Sequence, residues 1–152
     1  MAIMIDILNV INNHRRSFYK VIIEDITEYI YREERYKTNF ALVTIYSKEK
    51  TAINPDNLKK MLRRTDKLII LNEDLACVVF DSTSEDSYVK AAENLNKILK
   101  NMDYKNNFFL SAADSADFDL NYLEMTNKLC DRLEYAIKNK LCNTVIYQDY
   151  LI

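Results

Sequence analysis

Two groups of residues in this chain have types and spacing that could do chemistry. The first is Asn72-Glu73-Asp74, a short polar break between the apolar runs Leu68-Ile69-Ile70-Leu71 and Leu75-Ala76-Cys77-Val78-Val79-Phe80. Adjacent carboxylates on a turn offer hard anionic oxygens to a divalent cation or to phosphate-bound metal, and the same pattern also describes a solvated turn. The second is Arg63 with Asp66, three residues apart at the end of a basic segment that also carries Lys59, Lys60, Arg64 and Lys67. A guanidinium binds phosphate in bidentate fashion without a metal, so an anionic ligand would meet a positive surface here. The alternative is an ordinary surface ion pair, which is worth little. His14, the only histidine, stands beside Arg15 and Arg16 and reads as a solvated residue at a helix start.

Composition narrows the function classes. The 152 residues suffice for one domain, spanning 1–152, and an apolar fraction of 49% is enough to fill its core. No apolar run approaches a membrane span, and the first residues lack the basic start and small-residue cleavage site of a signal peptide. A cytoplasmic protein with no membrane partner is expected. A formal net charge of −2 gives no reason to expect a nucleic acid polymer as partner. Cys77, Cys130 and Cys142 are widely separated, odd in number and without metal-ligand spacing, so reduced thiols are expected. Glycine is absent altogether, which excludes the glycine-rich phosphate cradles of P-loop and dinucleotide-binding proteins.

The elements that must position these groups follow from hydrophobic period. From Arg16 to Arg35, Phe18, Ile22, Ile26, Tyr29 and Ile30 recur at helical spacing, and Glu24, Asp25, Glu28, Glu33 and Glu34 between them predict one long helix with an acidic outer face. Phe40 to Tyr46 is continuously apolar, as a central strand covered on both faces would be. Asn54-Pro55-Asp56 opens a helix through Leu58, Met61 and Leu62, with Asn54 as cap and Pro55 in the first turn. The run from Leu68 to Phe80 is then a β-hairpin with Asn72 to Asp74 at its tip. Ser82 and Glu85 have capping-box spacing before a helix with Tyr88, Ala91, Ala92, Leu95, Ile98 and Leu99 on one side. A strand at Phe108 to Ala112, a helix over 119–139 striped by Leu123, Leu129, Leu133 and Ile137, and a strand from Thr144 to Gln148 close the chain. The predicted fold is an α/β (α+β) sandwich, a mostly antiparallel central sheet flanked by helices.

These residues resemble the GGDEF domains of the diguanylate cyclase family. Arg63 and Asp66 match the family's Arg-x-x-Asp pair, and counting on without a gap sets Asn72, Glu73, Asp74, Leu75 and Ala76 on the five signature positions. The signature is degenerate: both glycines are missing, Asp74 keeps an acid at the third position, and Leu75 and Ala76 occupy the last two. A shift of one residue would instead place Glu73-Asp74-Leu75 on the acid-acid-apolar part. Asp6, Leu8 and Asn13 match the family's opening motif, with Ile11 similar. Asp131, Tyr135, Lys138 and Asn143 match its closing motif in register. Thr44 and Tyr46 stand where the family carries metal-binding carboxylates, and the connection to Arg63 is shorter than the family's base-recognition segment.

The resemblance implies a nucleotide-cyclase palm fold and, through its departures, a catalytically silent signalling domain, not an enzyme, that works by protein contact and needs no cofactor or metal. Its partner would be another protein, an upstream sensor domain, or a second copy. Survival of Arg63 and Asp66 leaves a second reading, a cyclic di-GMP receptor using the family's inhibitory site, although the second arginine of that site falls at Asn94. A divergent nucleotide cyclase is the third reading. Lys138 matches a family lysine that approaches the phosphates, but a cation at a helix end is favourable there in any case.

Overall fold

The computed structural model describes residues 15–47, 55–72, 75–83, 85–101 and 108–148. The opening motif at Asp6, Leu8, Ile11 and Asn13, together with His14, Asn54, Glu73 and Asp74, lies outside the described residues. Strand β1 (Phe40–Ser47) is the centre of the fold. It pairs antiparallel with β3 (Leu75–Asp81) on one side and with β4 (Phe108–Asp114) on the other. Strand β2 (Lys67–Ile70) lies antiparallel to β3 at one edge, and β5 (Val145–Ile146) runs parallel to β4 at the other, giving the order β2-β3-β1-β4-β5.

Alternation along β1 divides the core into two layers. Ala41, Val43 and Ile45 face α3 (Pro55–Met61) and α4 (Glu85–Asn101), in a cluster with Leu58, Leu95 and Leu99. Phe40, Leu42 and Tyr46 face α1 (Arg15–Asp25), α2 (Thr27–Tyr36) and α5 (Tyr122–Lys138). Every residue of β1 is buried, as its unbroken apolar run requires of a strand covered on both faces. The sandwich of helices on a mostly antiparallel sheet is the architecture expected from the sequence. No helix among the described residues is long and apolar enough to cross a membrane.

Four details differ from the sequence reading. The expected single helix from Arg16 to Arg35 is broken at Ile26, whose backbone leaves helical geometry while the Thr27 hydroxyl donates to the Glu24 carbonyl at 2.8 Å. The break separates α1, which is tied to α5, from α2. Glu33 is buried and does not belong to an acidic outer face. Helix α4 begins at Glu85, so Ser82 is not its cap; Ser82 takes a left-handed turn and Thr83 is drawn inward to donate to Asp114. Helix α5 starts at Tyr122 because Asp119 and Leu120 have positive φ, which leaves Leu123 exposed and gives its stripe position to Met125.

A chain without glycine has to put other residues in left-handed backbone. Lys37, Ser82, Asp119, Leu120, Lys140 and Asn143 all do so. Lys37 closes α2 with φ 57°, its amide donating to the Glu33 carbonyl at 2.9 Å. A side chain at such a position costs about 1 kcal/mol relative to glycine. Lys37→Gly is therefore expected to raise stability by about 1 kcal/mol in urea denaturation. An unchanged or lower midpoint would mean that the turn carries no strain.

Candidate functional site

The hairpin forms where the sequence places it. Ile70 lies opposite Ala76, and the amides of Leu71 and Asn72 both donate to the Leu75 carbonyl, at 3.0 and 3.1 Å. Asn72 is exposed, whereas Leu75 and Ala76 are buried members of β3, opposite Tyr46 and Ile45. Two of the five positions that the gap-free count set on the signature are therefore core.

The end of β1 beside this hairpin is equally committed to packing. The Thr44 hydroxyl is hydrogen-bonded to that of Ser111 on the neighbouring strand, and the Tyr46 ring stacks on Phe109 with centroids 6.1 Å apart. Both residues are buried. Magnesium takes carboxylate, carbonyl and water oxygens in near-octahedral geometry. A hydroxyl already engaged and a stacked phenol do not fit that cation. Between the hairpin, α1 and α5 lies a pocket of about 200 Å³ walled by Phe18, Val21, Leu71, Leu75, Leu129 and Leu133. No charged side chain is among its described lining residues.

Cys130 also borders this pocket, and burial pushes its thiol, like that of Cys77, up to about 12. Neither forms thiolate at neutral pH, so neither is a nucleophile in the folded chain. A thiol-disulfide reagent is expected to modify the half-buried Cys142 quickly and the other two only after unfolding. A second thiol reacting at the rate of Cys142 would contradict the buried placement of Cys77 and Cys130.

Arg63 and Asp66 are brought together, but with unequal exposure. The Asp66 side chain is 2% exposed and that of Arg63 61%. Asp66 accepts from the Arg63 amide at 3.0 Å, from Arg63 Nε at 3.2 Å and Nη2 at 3.1 Å, and from the Asp81 amide at 3.0 Å. Arg63 Nη2 also donates to the Asp81 carbonyl at 2.6 Å. The hydrogen bond to Asp66 holds the guanidinium above its ordinary value. This is more than a surface ion pair, because the buried carboxylate ties the turn at 63–66 to the end of β3. The Asp81 carboxylate in turn pairs with Arg32 at 2.9 Å, and Arg32 covers the Tyr29 ring.

A cleft of about 350 Å³ opens beside the pair, lined by Arg63, Asp66, Ser82, Lys90, Asn94 and Ile98, among others. Asn94, which the gap-free count set at the second arginine of the family's inhibitory site, is also among the cleft's lining residues. Lys67 does not join this surface, since its ammonium donates to the Asp25 carbonyl at 2.8 Å. At the other end of the chain, Lys138 pairs with Glu134 at 2.8 Å and Asp131 with Arg15 at 2.7 Å. The Asn143 amide donates to the Phe108 carbonyl at 2.8 Å. These three motif residues hold helices and turns in place.

Sequence reasoning missed three buried charged residues. Glu33 accepts from the hydroxyls of Ser115 and Tyr122, the latter at 2.7 Å. Its spacing from Ile26, Tyr29 and Ile30 puts it on the inward stripe of α2, a signal the period contained. Arg132, beside Leu129 and Leu133 on α5, donates to the Ala112 carbonyl at 2.7 Å. Asp114 accepts from Thr83 Oγ1 at 3.0 Å. Burial raises its carboxyl above the ordinary 3.8, with the Thr83 bond opposing this in part. The folded chain then binds that proton more tightly than the unfolded chain does. Stability from this group is full below 3.8 and is lost as pH rises through the raised value. Asp114→Asn is expected to flatten this part of the profile of unfolding free energy against pH; a profile of unchanged slope would refute the assignment.

No family model matches the chain, and no curated protein matches it. Solved structures do. A microbial GGDEF domain described in a novel interaction mode with cyclic di-GMP superposes with a TM-score of 0.61 at 15% identity, over 88% of this chain and 92% of that one. The GGDEF domain of YfiN (TpbB) from Pseudomonas aeruginosa gives 0.65 at 10% identity, over 90% and 96%. The fold is that of a GGDEF domain. The diguanylate cyclase SiaD of Pseudomonas aeruginosa, solved with its activator SiaC, gives 0.60 at 10% identity over 85% of this chain and 57% of SiaD. Arg63 with Asp66 lies at the end of β3 opposite the β2–β3 hairpin.

Proposed function

We propose that this chain is a catalytically silent GGDEF-like domain that acts through protein contact. The observation that carries this reading is the end of β1, where Thr44 and Tyr46 are buried in neutral packing at the place a cyclase needs carboxylates. Phosphoryl transfer requires metal-anchored positioning of the phosphates, and the described residues lining the pocket beside the hairpin, none of them charged, do not provide it. The same argument weighs against a divergent nucleotide cyclase. SiaD, solved with its activator, supports a GGDEF fold as a docking partner. Incubation with GTP and Mg²⁺ is expected to yield no cyclic di-GMP by chromatography. Product above a no-protein control, abolished by Asp74→Ala, would overturn the reading.

A second reading, a cyclic di-GMP receptor, is favoured by the exposed guanidinium of Arg63 facing a cleft with Lys90 and Asn94. Binding there would be insensitive to EDTA and weakened by salt. Calorimetry on the wild type and Arg63→Ala decides it. Equal heats, or none from either, would remove the receptor and leave the protein-contact domain.

A further inference from the structure

We infer that the apolar pocket between α1, α5 and the hairpin is a binding site for a small neutral ring compound, about the size of indole. The inference goes beyond the protein-contact reading and stands whether or not that reading holds.

The pocket has its origin in the sheet beneath it. Thr44 lies opposite Cys77 on β3 and opposite Ser111 on β4, so a row of short side chains crosses the inner strands. The neighbouring row on the same face, toward the hairpin tip, is Leu75, Tyr46 and Phe109, which is far bulkier. Where the short row passes under α1 and α5, a space of about 200 Å³ remains, with Thr44 among its lining residues. Phe18 and Leu71 pack at the seam between two groups of buried side chains, one containing Leu129 and the other Leu133. Both leucines wall the pocket. Leu75, Leu129 and Leu133 are buried, whereas Ser17, Val21 and Asn72 are exposed and mark the mouth.

The lining selects the chemistry of the occupant. No described lining residue is charged, the Thr44 hydroxyl is already bonded to Ser111, and burial keeps Cys130 a neutral thiol. An ion entering here would give up its hydration and meet no counter-charge among these residues, which disfavours phosphates and carboxylates. A neutral ring carries no such cost and gains by leaving water. Volume then sets the size. An apolar protein cavity of about 150 Å³ holds benzene, and this pocket, at about 200 Å³, has room for one more fused ring. A single N–H or O–H on that ring can point to water at the mouth. A ring held here touches α1, α5 and the hairpin together, so binding stabilises the folded chain.

The test is titration of indole into the full chain. Because the chain has no tryptophan, indole fluorescence excited beyond the tyrosine band reports the ligand alone. Saturable binding is expected, with emission moving to shorter wavelength as the ring leaves water and with a higher melting temperature. Indole-3-acetate and tryptamine, the same ring with a negative or a positive charge, should bind more weakly by roughly tenfold or more. Leu133→Phe adds bulk to the inner wall and should weaken indole by roughly tenfold or more. Circular dichroism checks that it folds, and Val21→Phe, which narrows the mouth at an exposed position, serves in its place if it does not. Arg63→Ala, at the far end of β3, should leave indole binding unchanged. No saturable change up to about 1 mM indole, equal binding by the filled variant, or charged analogues binding as tightly as indole would each overturn the proposal.

Discussion

Thr44→Asp is expected to lower stability by about 4 kcal/mol, or to unfold the chain outright, without creating a metal site. Position 44 lies in the half of β1 toward the hairpin, opposite Cys77 on one side and Ser111 on the other. A carboxylate there would lose its hydration and find no cation among the described residues lining the adjoining pocket. It would also break the hydroxyl pair and leave Ser111 buried without that partner. Urea denaturation with and without Mg²⁺ measures both parts of the expectation. A variant as stable as the wild type, and stabilised further by Mg²⁺, would show that the end of β1 retains a latent cation site. That result would sink the silent reading more directly than any activity assay.

The second large effect is at Asp66. Asp66→Ala removes the acceptor for two backbone amides and for the Arg63 guanidinium at once, and is expected to cost about 3 kcal/mol. Arg63→Ala should cost only about 1 kcal/mol, because that guanidinium is largely exposed and water can replace it. Guanidinium chloride midpoints of the two variants give the comparison. Equal losses would mean that the ion pair, and not the carboxylate splint, holds the turn to β3. The expected asymmetry also makes Arg63→Ala a usable ligand-binding control, since it should remain folded.

The sheet was legible in the sequence because each strand is written as a local run. Phe40 to Tyr46 is apolar throughout, and the break at Asn72 to Asp74 separates two runs that do pair as a hairpin. Leu75 and Ala76, which the gap-free count set on the last two signature positions, are instead buried residues of β3. What could not be read was decided by distant partners. Glu33 is drawn inside by Ser115 and Tyr122, which are 82 and 89 residues away in sequence. Thr83 leaves the expected start of α4 for Asp114, 31 residues on. Asp66 looked like a surface partner for Arg63 because nothing local reveals that the Asp81 amide closes over it. A carboxylate is read as solvated until its donors are known, and the donors here come from other elements.

The glycine-free turns bear on how this chain reaches its fold. Aspartate and asparagine tolerate left-handed backbone, so Asp119 and Asn143 sit there easily, but Lys37, Ser82, Leu120 and Lys140 have no side-chain reason to adopt it. In the unfolded ensemble these four positions favour other conformations. Their geometry is imposed once the flanking helices and strands have docked, as when the Lys37 amide closes onto α2 or the Leu141 amide reaches the Ala136 carbonyl beyond Lys140. Chain reversals of this kind are poor nuclei, and the apolar strands and amphipathic helices are expected to assemble first. These four left-handed positions are expected to lock late, products of folding and not its seeds.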